Sequence, residues 1–147
     1  TYLYTGSVAE VEKMYKYIVF NCLIGNGDAN LKNFALQYSP DMKNIFVSLP
    51  FDLTHTLIYE SIDHKMALKL AGSKAFPDRS HLIKLAESDR FRIRNPKAII
   101  EFLSENILDY LRTSNEVQLF DGLRTSIERS ISNVMATGLG TQNYRLD

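Results

Sequence analysis

The side chains best suited to chemistry lie in one polar stretch, residues 21–33, which reads NCLIGNGDANLKN. Asp28 and Asn33 stand five positions apart in this stretch, and Asp52 follows nineteen residues after Asn33. Carboxylate and carboxamide oxygens are hard ligands, and they suit Mg²⁺ that is also bound by phosphate oxygens and water. Asp28 could instead orient or deprotonate a hydroxyl nucleophile, a role for a carboxylate that lies beside a metal ion.

A helix and a hairpin are the elements that must position these side chains. Helical periodicity over residues 8–24 predicts a helix that ends at Gly25, a residue type common just after a helix. Two runs rich in strand-forming residues, NFALQY and NIFVSL, flank a Ser-Pro-Asp turn and predict a hairpin over residues 33–49. Because antiparallel strands lie about 5 Å apart, Asn33 at the entrance and Asp52 just past the exit should converge with Asp28.

The remaining sequence is mostly helical in pattern, which predicts a mainly α (α+β) fold. Ser7-Val8-Ala9-Glu10 has the form of a capping box for the first helix. Residues 50–64 are typical of an irregular loop, and residues 66–70 of a short strand. Three later helices are predicted: one from Asp78 to about Ser88, one opened by Asn95-Pro96, and one that starts at Ser114 or Asn115. Residues 137–147 are typical of a loose tail.

The totals describe an ordinary globular chain. Its 147 residues suit a single domain, and 17 basic and 17 acidic residues cancel, so no bulk attraction to nucleic acid or membrane is indicated. The longest apolar run, residues 17–25, is broken by Asn21 and is too short to span a bilayer. The one cysteine, Cys22, allows no internal disulfide, and we expect a cytoplasmic location.

The order of the polar residues resembles the catalytic apparatus of protein kinases. In eukaryotic-type kinases an Asp, four residues and an Asn form the catalytic loop, and a second metal-binding Asp follows a short hairpin. Asp28, Asn33 and Asp52 have this order, although Asn26-Gly27 replaces the usual His-Arg. NCLIGNGDANLKN is more specifically similar to the catalytic loop of HipA-type serine/threonine kinases, the toxins of bacterial toxin–antitoxin modules. LPFDLTHT and MALKLAGSKAFPDRSHLIKLA are similar to the segments that follow in that family.

The resemblance implies a role for each position of the motif. Asp28 would be the catalytic base, and Asn33 and Asp52 would bind Mg²⁺. The positions near the nucleotide would be Asn30, Lys32 and Phe51. The family's usual His, two positions after the catalytic Asp, is Asn30 here, and Asn cannot carry a charge.

Two further Asn residues are interpreted as loop braces. Asn21 lies on the first helix near apolar neighbours, where a buried carboxamide needs a hydrogen-bond partner. Asn26 lies in the loop below it, and we expect Asn21 and Asn26 together to hold that loop.

The resemblance implies that the chain is the C-terminal helical lobe of a protein-kinase-like fold, with the metal site on the small hairpin. The expected reaction transfers the γ-phosphate of ATP to a protein Ser or Thr hydroxyl with Mg²⁺. Implied partners are a helix-turn-helix antitoxin, DNA only through that antitoxin, and a protein substrate such as an aminoacyl-tRNA synthetase, with no membrane. No Gly-rich phosphate loop precedes Asp28, so we expect the amino-terminal lobe to be missing and the chain alone to be inactive.

Two other functions remain open at this point. The chain could be a non-catalytic interaction domain derived from a kinase lobe, which would bind an antitoxin-like partner or DNA. It could also belong to a phosphotransferase that acts on a small-molecule hydroxyl, because substrate choice is not determined by a metal-binding loop.

Overall fold

The computed structural model describes residues 5–30, 33–50, 52–58, 65–70, 73–120 and 122–136. Within these segments the chain forms four α-helices, a two-stranded antiparallel sheet and a 3₁₀ turn. The helices are α1 (Val8–Leu23), α2 (Arg79–Glu87), α3 (Pro96–Thr113) and α4 (Leu123–Met135), the strands are β1 (Leu36–Tyr38) and β2 (Ile45–Val47), and the 3₁₀ turn is Val117–Leu119. The predicted α+β class with mainly helical content is confirmed.

Helix α1 lies at the centre of the described core, since it packs against α3, α4 and β2. Its fully buried Tyr15 donates a hydrogen bond to the carbonyl oxygen of Leu82 on α2 at 3.0 Å, and its ring meets Phe91 edge to face. Burial raises the pKa of Tyr15 well above its ordinary value, so the hydroxyl remains a donor. Nearer the end of α1, Ser130 of α4 donates to the carbonyl oxygen of Cys22 at 3.2 Å. The helix that leads into the polar loop is therefore held by hydrogen bonds with two other helices.

The hairpin forms as predicted, with shorter strands than the sequence pattern indicates. Leu36 pairs with Val47, Gln37 with Phe46, and Tyr38 with Ile45. One more hydrogen bond, from the N–H of Ser48 to the carbonyl oxygen of Ala35 at 2.9 Å, extends the pairing towards the open end. The two ends of the hairpin are therefore neighbours.

The caps of the helices differ in part from the predicted ones. Ser7 caps α1 through a hydrogen bond from the N–H of Glu10, but the Glu10 carboxylate does not return to Ser7 and accepts from the N–H of Val47. Asp78 caps α2 as predicted. Asn95 precedes Pro96 of α3 as predicted, yet it adopts a left-handed conformation with φ 53° and its side chain makes no capping hydrogen bond.

Two predicted elements are wrong. Residues 66–70 form no strand, because the N–H of Met66 bonds to Lys74 and the N–H of Ala67 bonds to Gly27, which leaves only a single bridge between Leu70 and Ser73. The last helix begins at Leu123 and not at residue 114 or 115, because a 3₁₀ turn intervenes.

The tail at 137–147 lies outside the described residues, whereas the described part of the loop at 50–64 has no regular helix or strand, as predicted. None of the helices in the described segments combines the length and apolar character needed to cross a bilayer.

Candidate active site

A line of hydrogen bonds connects Asp28 in the polar loop with Asp52 at the exit of the hairpin. Asn30 donates from its side-chain amide to Oδ1 of Asp28 at 2.8 Å, and from its backbone N–H to Oδ1 of Asn33 at 2.8 Å. Asn33 then donates from Nδ2 to Oδ2 of Asp52 at 2.8 Å. The structure thus brings together Asp28, Asn30, Asn33 and Asp52, which come from two segments of the chain.

The carboxamide of Asn33 has a defined orientation. Its Oδ1 accepts a backbone N–H, which only an oxygen can do, so its Nδ2 must face Asp52. Asn33 is buried, whereas the carboxylates of Asp28 and Asp52 are exposed. The buried amide therefore sets the position of an exposed carboxylate.

The backbone of Asp52 has an unusual conformation. Its φ of 55° lies in the left-handed region, which non-glycine residues adopt at an energetic cost. Such conformations cluster at functional sites and persist where neighbouring contacts hold them. The hydrogen bond from Asn33 is one contact that holds Asp52 in place.

A second pair of carboxamides supports the loop from below. Asn26, only 1% exposed, donates from Nδ2 to Oδ1 of Asn21 at 2.7 Å. Its Oδ1 accepts from the N–H of Asp28 and from the hydroxyl of Thr54, each at 3.2 Å. Asn21 in turn donates to the carbonyl oxygen of Tyr17 on α1 at 2.8 Å. This pair therefore connects α1, the backbone of Asp28 and the segment that follows Asp52.

Thr56 closes the loop against the same segment. Its hydroxyl accepts from the N–H of Gly27 at 2.8 Å and donates to the carbonyl oxygen of Gly25 at 3.1 Å. Gly25 has a left-handed φ of 68°, and a Cβ there would lie 2.7 Å from Leu57. A Cβ on Gly27 would lie 2.9 Å from the hydroxyl oxygen of Thr56 and from a backbone carbonyl oxygen. Gly25 is thus favoured mainly by its left-handed backbone, and Gly27 by the close approach of Thr56 and of the Lys65 carbonyl oxygen.

His55 joins this loop to the last helix. Its Nδ1 bonds to the carbonyl oxygen of Ile24, so Nδ1 carries the hydrogen, and its Nε2 accepts from the hydroxyl of Ser126 on α4 at 2.7 Å. Burial lowers the pKa of His55 below its ordinary value, although the bond to Ile24 opposes this shift. The neutral imidazole is therefore the form that this position favours.

Sequence reasoning assigned no role to Thr54 or Thr56. The only available signal was their position in LTHT, directly after Asp52. Two of the predicted nucleotide-binding residues, Lys32 and Phe51, lie outside the described residues. The third, Asn30, is hydrogen-bonded to Asp28.

The oxygens at this site fit a small hard cation. Asp28 and Asp52 offer exposed carboxylates, and Oδ1 of Asn33 has a second lone pair beyond the one used by Asn30. No group of three or more His, Cys, Asp or Glu side chains suited to a metal ion occurs in the described part of the chain.

These features define a helical domain with an acidic site between a helix-terminal loop and a hairpin exit. Residues 2–111, which are well over half of the chain, match the family of the HipA-like C-terminal domain. The chain belongs to this family, and the resemblance noted in its motifs is confirmed. The match also extends past residue 86, where the motif resemblance ended.

A curated relative is similar to part of this chain. The chain is 33% identical over 101 residues to a protein of Sinorhizobium fredii (strain NBRC 101917 / NGR234) named "Putative kinase Y4dM". The aligned part covers 65% of this chain and 24% of that relative. The chain therefore spans about a quarter of the length of the relative it matches.

Proposed function

We propose that this chain is the catalytic-loop-bearing C-terminal part of a HipA-like protein kinase, which transfers the γ-phosphate of ATP to a protein Ser or Thr. The observation that carries the proposal is the hydrogen-bonded line from Asp28 through Asn30 and Asn33 to Asp52. Membership of the HipA-like family and the name of the Sinorhizobium relative support it.

In this proposal each carboxylate has a separate task. Asp28, exposed and tethered by Asn30, would orient the substrate hydroxyl and accept its proton. Asn33 and Asp52 would hold Mg²⁺, and the bound ion would neutralise charge on the phosphates as the transferring group moves. The Asn21–Asn26 pair would keep the backbone of Asp28 in register. The nucleotide would contact the region of Asn30, Lys32 and Phe51.

The wider setting follows from the family resemblance. A helix-turn-helix antitoxin would be the partner, DNA would be reached only through it, and an aminoacyl-tRNA synthetase is a candidate substrate. We place the protein in the cytoplasm on the same basis. ATP binding would use Asn30, Lys32 and Phe51 together with the amino-terminal lobe of the kinase. Activity would therefore require the complete protein.

One observation favours a second function, a non-catalytic interaction domain. Asn30 stands where the family has His, and its amide occupies one oxygen of Asp28. That hydrogen bond occupies a carboxylate oxygen that a substrate hydroxyl would otherwise contact. The domain would then use the kinase-lobe fold to bind an antitoxin-like partner or DNA.

Phosphotransfer and Mg²⁺–ATP binding by the complete gene product distinguish the two functions. We expect Asp28→Asn to retain Mg²⁺–ATP binding and to lower phosphotransfer by roughly 10²–10⁴-fold. Asp52→Ala should weaken Mg²⁺-dependent ATP binding measured by calorimetry. Asp109→Asn, a change at an exposed carboxylate on α3, is the matched control and should change neither.

The outcomes separate the assignments. Equal Mg²⁺–ATP affinity in wild type and Asp52→Ala would remove Asp52 from the metal site. Binding of Mg²⁺–ATP with no phosphotransfer, in wild type as in Asp28→Asn, would support the non-catalytic function.

A further inference from the structure

Two side chains of α1 bind both backbone polar groups of Val47, the last residue of β2. Oε2 of Glu10 accepts from the N–H of Val47 at 2.5 Å, and Nζ of Lys13 donates to its carbonyl oxygen at 2.5 Å. Glu10 and Lys13 also form an ion pair with each other at 3.7 Å. We refer to these contacts of Glu10, Lys13 and Val47 as the α1–β2 clamp.

The register of the hairpin explains why Val47 needs these partners. Ser48 bonds to Ala35, and Ser39 bonds to Asn44, so pairs in those positions exchange the inter-strand hydrogen bonds. Leu36 and Val47 alternate with them and form a non-hydrogen-bonded pair. The N–H and C=O of Val47 therefore point away from β1, at the open edge of the sheet. Glu10 and Lys13 take the place that a third strand would occupy.

The clamp fixes the hairpin relative to the helix that leads into the polar loop. Helix α1 holds Val47 near its first turn, and its other end continues into the loop with Asp28. Asp52 lies five residues after Val47, so the clamp and the hydrogen bond from Asn33 secure the segment on both sides of the hairpin exit. Val47 itself is only 1% exposed, which excludes water as a substitute partner.

We propose that Glu10 and Lys13 are positioning residues for the metal site, which set the place of Asp52 relative to Asp28 and Asn33. This inference rests on the proposed kinase function. Neither residue touches the site, and their effect passes through β2. Loss of the clamp should therefore weaken Mg²⁺ binding through Asp52 and leave the proton transfer by Asp28 intact when Mg²⁺ is saturating.

The same helix provides a matched control. Glu12 and Lys16 form an ion pair at 2.6 Å, and both are more exposed than the clamp residues. Lys16→Met removes a lysine charge and an ion pair from α1, as Lys13→Met does, and Lys16 makes no described contact with the hairpin.

The test uses the complete gene product. Mg²⁺ is titrated at fixed ATP, steady-state phosphotransfer is measured at low and saturating Mg²⁺, and amide hydrogen exchange is followed over residues 44–48. We expect Lys13→Met to raise the Mg²⁺ concentration for half-maximal binding by about tenfold, the lower end for residues that orient metal ligands. The kcat at saturating Mg²⁺ should stay within twofold of wild type, and the hairpin amides should exchange faster. Lys16→Met should match wild type in all three.

Two further variants make the result decisive. Glu10→Gln keeps an acceptor oxygen and decides the question if Lys13→Met does not fold; it should weaken Mg²⁺ binding by a smaller factor. In an Asp52→Asn background the effect of Lys13→Met on Mg²⁺ binding should disappear, because the clamp acts through Asp52. A purely structural role would leave the effect unchanged.

The failures are distinguishable. The clamp variant is Lys13→Met or, where that variant is unfolded, Glu10→Gln. If it behaves like Lys16→Met while Asp52→Ala loses Mg²⁺-dependent binding, the clamp inference is wrong and the proposed function stands. If Asp52→Ala binds Mg²⁺–ATP as wild type does, the metal site and the clamp inference fall together.

Discussion

Removing the buried carboxamide of Asn26 should be among the more costly single changes in the polar loop. Its side chain makes three hydrogen bonds, with Asn21, the N–H of Asp28 and Thr54. A typical hydrogen bond contributes about 1 kcal/mol net. We therefore expect Asn26→Ala to lower the free energy of unfolding by about 3 kcal/mol.

The partner change should be smaller. Asn21 makes two side-chain hydrogen bonds, one to Tyr17 and one shared with Asn26, so Asn21→Ala should cost about 2 kcal/mol. The higher helix propensity of Ala offsets roughly 0.5 kcal/mol of that loss. The double variant should cost about 1 kcal/mol less than the two single changes together, because their shared bond is lost only once and no buried partner remains unpaired.

The assay is urea unfolding followed by circular dichroism, with the slope m checked for constancy across variants. Asn106→Ala is the control, since this exposed Asn bonds only to its own helix and should change stability by less than about 0.5 kcal/mol. Strict additivity of Asn21→Ala and Asn26→Ala would show that the two carboxamides do not act as a pair. A loss for Asn26→Ala no larger than that of the control would refute the brace itself.

Three further changes test other parts of the structure. Gly27→Ala would place a Cβ 2.9 Å from the carbonyl oxygen of Lys65; it should cost about 1–3 kcal/mol in urea unfolding and weaken Mg²⁺ binding, because the polar loop must shift. Gly122→Ala meets no atom within 4 Å, bears only the left-handed backbone cost and should leave Mg²⁺ binding unchanged. Similar Mg²⁺ affinities for the two variants would contradict this expectation. Burial lowers the pKa of His55, so the unfolded chain takes up the proton first. The free energy of unfolding should therefore fall as pH drops from about 6.5 towards the pKa of His55 in the folded chain. His55→Gln should flatten that part of the stability–pH curve, and an unchanged curve would contradict the assignment of a buried, neutral His55. Burial raises the pKa of the Cys22 thiol to about 12, so a thiol reagent near pH 8 should label it only after denaturation, and rapid labelling of the folded chain would show that it is accessible.

The hairpin shows what local pattern can predict. Strand propensity and a Ser-Pro-Asp turn located β1 and β2, and the antiparallel geometry alone indicated that Asn33 and Asp52 would be neighbours. The failed strand at residues 66–70 shows the limit. Its apolar residues suit a strand, but its N–H groups bond to Gly27 and Lys74, and those partners depend on how the polar loop packs.

The caps give the same lesson at smaller scale. Ser7 could be assigned as a cap because its partner lies three residues away. The carboxylate of Glu10 has a choice between a local N–H and the N–H of Val47, which is 37 residues away in sequence. Only the docked hairpin makes the second partner available, and its edge position leaves that N–H without a strand partner.

The sequence by itself determined the order of the four helices and the hairpin, the family to which the chain belongs, and the candidate acidic residues of the site, because periodicity, turn residues and motif spacing are local properties. Tertiary structure alone decided what holds the site: Asn26 to Thr54, His55 to Ser126, and Lys13 to Val47 join residues 28, 71 and 34 positions apart. Each of these contacts exists because buried polar groups must find partners among whatever packing brings near. That selection is made by the folded core, and no pattern along the chain encodes it separately.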